Sequence, residues 1–403
     1  MTDRESAEHA LLQHQFPLLD TLRAVGALSV FTTHAAFWAA AYTGHGVWGT
    51  LAARLDVGVA VFFVLSGFLL SRPYLARAAV GRRPPELGRY YWKRFLRIAP
   101  LYLLTAVLAL ALITGNDGTS LGEWLVTLVM GNTFVYTELP NGLTHMWSLA
   151  VEVCFYVVLP LLMLVAVGRR RRLDPRRVVA LAAALVAVSV WWELAGSPTV
   201  GRWTSAQPGQ WLPSYLGWFA VGILLALVEL LHRRGQWSAL TTRVVGLAQQ
   251  PGSCWAMVIG LMLVAATPLA GPSMLTPPTP GQLLAKHVVY GLVGGLVVLT
   301  GVFPTPGGTY ERVLGHPAGR HLGFISYSFF CLHLPMLHLV MWLTGWQLFE
   351  GRFPAIWLTA LVASLAAAEL SYRLVETPLM RLRNLRPPRP ASTTEPTTGT
   401  STR

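Results

Sequence analysis

The residues best suited to chemistry in this sequence lie inside or beside its apolar stretches. His34 follows Arg23 by eleven residues, about three turns of α-helix at 3.6 residues per turn. The two therefore share a helix face, roughly 16 Å apart at 1.5 Å per residue. A neutral histidine so placed can take a proton from a hydroxyl or carry an acyl group itself. The plainer alternative is a histidine that only hydrogen-bonds a neighbouring helix. Arg94 and Arg97 are three residues apart, so they also share a face. Such a pair can hold phosphates through paired N–H donors. A nucleotide-bearing acyl donor such as coenzyme A carries phosphates and comes from the cytoplasm. The rest of that basic loop, Arg77, Arg82, Arg83, Arg89 and Lys93, is accounted for by topology and contact with anionic lipid.

Three further segments add polar groups where lipid would exclude them. Glu152 lies more than a turn inside an apolar run, and a carboxylate there needs a cationic or hydrogen-bonding partner. Pairing with His34 would orient and charge-stabilise the imidazole; a purely structural ion pair is the competing reading. In Phe62-Phe63-Val64-Leu65-Ser66-Gly67-Phe68, Gly67 admits a helix or a ligand chain close to the backbone, and Ser66 can hydrogen-bond across that contact. Helix packing alone would use the same residues. In the segment 325–335, His333 falls near mid-span, Tyr327 offers a hydroxyl to a ligand, and Pro335 frees a backbone carbonyl. Polar contact between helices is the alternative there.

These residues must be held by helices in lipid. The chain has 403 residues, 53% of them hydrophobic and 12% charged, against roughly 25% charged in soluble proteins. A bilayer core takes about 20 mostly apolar residues per helix. Ten stretches qualify: 18–42, 57–76, 96–113, 146–167, 178–194, 213–231, 254–269, 284–303, 322–343 and 354–374. A further apolar stretch, 124–136, is too short to cross comfortably. If it stays out of the count, the strongly basic loops, including Arg169-Arg170-Arg171-Arg172, fall on one side, as the positive-inside rule requires. The formal charge of +13 then reports topology rather than nucleic-acid binding. The expected fold is all-α, a polytopic transmembrane helix bundle of about ten spans with both termini cytoplasmic.

Residues 1–17 form a polar cytoplasmic segment without the basic-then-apolar order of a cleavable signal, so the first span is expected to remain in the protein. Residues 384–403 read as a disordered tail rich in Pro, Thr and Ser. Cys154, Cys254 and Cys331 have neither disulfide nor zinc spacing and read as small apolar side chains. No metal site is expected.

Taken in order, the segments resemble the acyltransferase 3 family of integral-membrane acyltransferases over about 18–383. The pieces are Leu19-Asp20-Thr21-Leu22-Arg23 with His34, the Phe62–Phe68 segment, and Tyr91-Trp92-Lys93-Arg94-Phe95-Leu96-Arg97-Ile98-Ala99-Pro100. Then come Trp147-Ser148-Leu149-Ala150-Val151-Glu152, Ile325-Ser326-Tyr327-Ser328 with His333, and Tyr372-Arg373-Leu374-Val375-Glu376-Thr377-Pro378. The resemblance implies one membrane domain, 18–383, that moves an acyl group from acyl-CoA, in the first place acetyl-CoA, to a hydroxyl. Carbohydrates or glycosylated small molecules are the implied acceptors, in the plasma membrane, with no bound cofactor. His34 and Glu152 are then the expected catalytic residues. Arg23, Arg94, Arg97, Ser66 and Gly67 are expected at the donor, and Trp147, Ser148, Tyr327 and His333 in the substrate pocket. The sequence departs from the family at Val153 and Cys154, where a second acid and an amide are frequent, and at Phe330, where tyrosine is frequent. A rival reading of the same buried His, Glu and Arg residues is a transporter of lipid or sugar.

Overall fold

A computed structural model of the chain describes residues 3–168, 172–236, 238–273 and 276–384. Those residues are 80% helical, with no strand among them. The principal helices are α1 (Asp3–Gln13), α2 (Leu18–Trp38), α3 (Gly58–Ala79), α4 (Leu87–Leu112), α5 (Trp147–Val167) and α6 (Pro175–Trp191). They continue with α7 (Leu212–Arg233), α8 (Pro251–Ala265), α9 (Pro280–Val302), α10 (Pro317–Thr344), α11 (Phe353–Ser371) and α12 (Thr377–Arg381). We call the end of the bundle where α2 begins the near end and the opposite one the far end.

Eight helices are long and apolar enough to cross a membrane, and up to nine if Ala239–Ala248 and Pro251–Ala265 form one broken span bent by 87°. The bend sits before Pro251, which lacks the N–H to continue a helix and restricts the residue ahead of it. The straight span expected at 254–269 is therefore part of a kinked pair. The first expected span, 18–42, is a 21-residue helix but is not among the eight. Asp20, Arg23 and His34 lower its hydropathy. It tolerates them because it is packed inside the bundle between α3 and α10, where protein rather than lipid surrounds it. Stretch 124–136 is split into Leu121–Leu128 and Asn132–Val135, with Met130 at φ 60° between them. Neither piece is long enough to cross. The basic run at 169–171 and the tail from 385 lie outside the described residues.

The outer faces carry the lipid signature. Leu103, Leu104, Val107, Leu108 and Leu112 are exposed along one face of α4, and Val157, Leu161, Leu164 and Val165 along one face of α5. These spacings of three and four place large apolar side chains in helical stripes that water would not favour. Inside, α3 and α7 touch backbone to backbone. A Cβ on Gly67 would meet the Phe219 carbonyl oxygen at 2.3 Å, and one on Gly222 would meet that of Val64 at 2.2 Å. Small residues at a crossing give this approach in membranes. Phe219 then stacks on Phe155 of α5 at 3.8 Å and on Phe63 of α3 at 4.7 Å between ring centroids. At the near end, Gly323 brings α10 against the Asp20 carbonyl of α2. There a buried Arg72–Glu229 pair at 2.9 Å ties α3 to α7, and Arg72 also donates to the Leu11 carbonyl of α1.

Two π-helical turns, Trp192–Gly196 and Tyr372–Glu376, end α6 and α11. Each is followed two residues later by a proline, Pro198 or Pro378. The proline cannot donate to the carbonyl four residues back, so the preceding turn widens. The second of these turns aims Glu376 into the bundle.

Candidate active site

A cavity of about 900 Å³ opens into the bundle. Its lining comes from α2, α3, α4, α5 and α10, with the turns after α11 adding a sixth wall. The arginines cluster in it: Arg23 from α2, Arg94 and Arg97 from α4, Arg381 and Arg383 from the end of the described chain. Two carboxylates answer them. Glu376 is 4% exposed and accepts from Arg97 and from the Ser328 hydroxyl. Glu152 accepts from the Ser66 hydroxyl and, at 2.7 Å, from the Tyr156 hydroxyl. Arg97 also lies 5.2 Å from the centroid of the Tyr327 ring, and Arg94 lies 5.5 Å from that of Tyr156. The Arg94 Nε is buried and has no hydrogen-bond partner among the described residues.

Beyond the cavity stands a cluster of three histidines. His34 of α2, His333 of α10 and His145, from the 3₁₀ turn that precedes α5, come together from three elements. Ring centroids are 5.3 Å apart for His34 and His333, 6.3 Å for His34 and His145, and 4.5 Å for His145 and His333. His333 and His145 are buried, and His34 is half-buried. The His333 Nδ1–H donates to the Phe330 carbonyl at 2.7 Å, which leaves Nε2 as the lone-pair nitrogen of the neutral ring. That Nε2 and both ring nitrogens of His145 have no hydrogen-bond partner among the described residues. Two residues separate the cluster from the cavity they line. The Phe330 ring is 4.9 Å from His145 and 5.9 Å from His333, and the Ser148 hydroxyl donates to the His145 carbonyl at 3.1 Å. Among the described residues, no group of three or more His, Cys, Asp or Glu side chains is arranged to hold a metal ion.

Three helices thus run from one region to the other. On α2 the order is Arg23 then His34. Along α5, read towards its start, it is Tyr156, Glu152, Ser148 and then His145. On α10 it is Tyr327, Phe330 and His333. An arginine-rich chamber and a cluster of imidazoles with unpaired nitrogens thus lie along the same three elements. The model of the acyltransferase 3 family, described as an acyltransferase domain, matches residues 16–373. The chain belongs to this family. This acyltransferase is similar to nodulation protein 10 of Rhizobium leguminosarum bv. viciae, at 26% identity over 90% of the chain and 93% of that protein. It is 27% identical to the acyltransferase MdmB of Streptomyces mycarofaciens over 93% of the chain and 94% of the relative. It is 22% identical to the peptidoglycan O-acetyltransferase OatA of Listeria monocytogenes, over 91% of the chain and 56% of that longer protein. No solved structure matches it. The protein is therefore an enzyme, a multi-pass membrane O-acyltransferase.

Within this acyltransferase the residues singled out in the sequence divide into those that meet and those that do not. Arg23, Arg94, Arg97, Ser66, Glu152, Ser148 and Tyr327 share the cavity. His34 and His333 share the cluster beyond it. Four of these residues have neighbours that the sequence did not specify. Glu152 does not pair with His34: it sits below the cluster and is engaged by Ser66 and Tyr156. Gly67 has its α-carbon pressed on α7. Trp147 does not line the cavity and packs on Tyr215 of α7 at 5.2 Å. Tyr327 lines the cavity but spends its hydroxyl hydrogen on the Ile98 carbonyl at 2.7 Å, so it presents its ring to Arg97 and only an acceptor oxygen to a ligand.

His145, Tyr156, Glu376, Arg381 and Arg383 were not singled out for the site. Glu376 and Tyr156 stood in or next to apolar runs, where an ionisable or hydroxyl group is a signal in itself. His145 precedes Trp147 in a connection without periodicity, so no pattern pointed to it.

Proposed function

We propose that the enzyme moves an acetyl or other short acyl group from acyl-CoA to a hydroxyl of a carbohydrate or glycosylated acceptor. The observation that carries this reading is the continuity from the arginine chamber to the histidine cluster along α2, α5 and α10. Coenzyme A has phosphates for the arginines and a pantetheine arm that can extend towards Phe330 and Ser148. The domain that does this is taken as 18–383, with ten spans, both termini on the cytoplasmic side and the near end facing the cytoplasm. That orientation, in the plasma membrane, follows from the distribution of arginines in the loops and puts the chamber mouth where acyl-CoA is made. The name of the Listeria relative supports a glycan acceptor; the Streptomyces relative is named only as an acyltransferase.

In the chemistry we propose, the acceptor hydroxyl oxygen attacks the thioester carbonyl, the C–S bond breaks, and an ester forms. His34 takes the hydroxyl proton and returns it to the departing CoA thiolate. In the covalent variant, a His34 nitrogen attacks the thioester carbonyl, the C–S bond breaks, and the departing CoA thiolate takes the ring N–H proton. The acceptor hydroxyl oxygen then attacks the acyl-imidazole, the C–N bond breaks, and the hydroxyl proton returns to the imidazole. Arg23, Arg94 and Arg97 hold the donor, and Ser66 and Glu152 shape the channel wall. His333 and His145 offer unpaired nitrogens to the acceptor hydroxyl.

The test uses the full chain purified in detergent, with radiolabelled acetyl-CoA and an extract of envelope glycans or glycosylated metabolites. His34→Ala is expected to lower acyl transfer by about 10²–10⁴-fold, the range of general-base catalysis, while acetyl-CoA still binds. Transfer that survives His34→Ala would overturn the assignment. Labelled acyl-enzyme trapped in wild type and lost in His34→Ala would select the covalent route.

A further inference from the structure

The chamber holds more positive charge than its own carboxylates can answer. Five guanidinium groups line it against two carboxylates, Glu152 and Glu376. Arg97 is committed to Glu376, and Arg23 is held by Asp20 at 3.4 Å. Arg94, Arg381 and Arg383 form no ion pair among the described residues. Arg381 and Arg383 are exposed and come from the last turns of the described chain, Arg381 closing the last candidate span, Phe353–Arg381, and Arg383 lying two residues past it. That segment is nevertheless fixed at the mouth. The Leu382 carbonyl, between the two arginines, accepts from the Trp92 indole N–H of α4 at 3.2 Å. Trp92 is two residues from Arg94 on the same helix. One anchor thus sets two rim arginines beside the inner one.

We infer that Arg381 and Arg383 form a clamp for a terminal phosphomonoester, the 3′-phosphate of coenzyme A. This rests on the acyl-CoA reading above and deepens it. The order of groups along the donor matches the order of arginines. The thioester must reach furthest in, the pantetheine arm fills the channel, and the diphosphate follows at the depth of Arg94. The 3′-phosphate, furthest from the thioester, stays at the rim with Arg381 and Arg383. A phosphomonoester carries close to two negative charges near neutral pH, and arginine is the side chain suited to its oxygens. The clamp makes the enzyme select CoA thioesters over dephosphorylated carriers.

A phosphate at this rim has a second source, the headgroup of an anionic lipid. The experiment separates the two. Initial rates are measured for wild type and for Arg381→Gln/Arg383→Gln with acetyl-CoA and with acetyl-3′-dephospho-CoA, in neutral detergent and in nanodiscs with or without phosphatidylglycerol. The clamp predicts that wild type has a KM about tenfold lower for acetyl-CoA than for the dephospho donor, the effect of one charge-assisted contact. In the double variant the KM for acetyl-CoA rises about tenfold, that for the dephospho donor is unmoved, and kcat holds, which also shows the variant is folded. Equal KM changes for both donors, or none, would overturn the clamp. An effect seen only with phosphatidylglycerol and equal for both donors would overturn it in favour of lipid binding. A wild-type enzyme that turns over neither donor but accepts a different acyl carrier would overturn the acyl-CoA reading itself, and is distinct from either of those results.

Discussion

The two ends of the proposed reaction path are built on opposite principles. In the chamber the carboxylates and the hydroxyls beside them are answered by the protein, while Arg94, Arg381 and Arg383 keep no ion pair among the described residues. Arg97 and Ser328 converge on Glu376, Ser66 and Tyr156 converge on Glu152, and the Tyr327 hydroxyl is taken by Ile98. In the histidine cluster the protein leaves its nitrogens unanswered: three of them, on His145 and His333, are buried without partners among the described residues. A buried polar atom without a partner costs about 1–3 kcal/mol, and a buried charge costs more. The inner wall of the chamber, around Glu376 and Glu152, is therefore prepaired and holds its shape. The cluster, which can stay neutral, tolerates open hydrogen-bonding positions, which in the proposed reaction serve the acceptor.

That contrast can be broken experimentally, most sharply at Glu376. Glu376→Gln leaves the Arg97 guanidinium without its buried counter-charge, and removing one partner of a buried pair costs about 3–5 kcal/mol. The expected result is a marked fall in thermal unfolding temperature together with weaker acetyl-CoA binding. A variant as stable as wild type would show that the chamber is not held by its ion pairs. Next in size is His145→Ala in the cluster. Acyl transfer should fall about 10–100-fold in kcat, within the scale of one lost transition-state hydrogen bond, with the KM for acetyl-CoA and the unfolding temperature near wild type. If KM for the donor moved instead, His145 would belong with the chamber. The smallest effect is expected at the boundary. Phe330→Ala shortens the side chain between the two regions, so the preference for acetyl over butanoyl donors should relax a few-fold, one to two methylenes being discriminated only weakly by an apolar wall. Unchanged chain-length preference would place the acyl terminus elsewhere.

Much of this arrangement was legible before any coordinates. Hydropathy and loop charge gave a helical membrane bundle, and the expense of burying ionisable groups in lipid marked Arg23, His34, Glu152 and His333. Spacing on single helices correctly grouped Arg94 with Arg97 at one end and set His34 about three turns beyond Arg23. What the sequence left open is where a partner on another helix decides the outcome. Gly67 could serve a ligand or a helix, and Phe219 took the space. Glu152 needed a partner, and Ser66 and Tyr156 were nearer than His34. Eight helices, or up to nine, pass as spans by length and composition, and α2 falls short because it is sheltered by its neighbours and can be less apolar than a lipid-facing helix.

The sequence by itself determined the solvent, the helices and the types of residue available for acyl transfer, because those follow from local composition and period. Only the tertiary structure decided that His145 joins His34 and His333, that Glu376 answers Arg97, and that Arg381 and Arg383 return to the mouth beside Arg94. Each of those meetings is between residues far apart along the chain. They are fixed by how helices cross at points such as Gly67 with Phe219 and Gly323 with Asp20, and no pattern within one helix encodes which face another helix will meet.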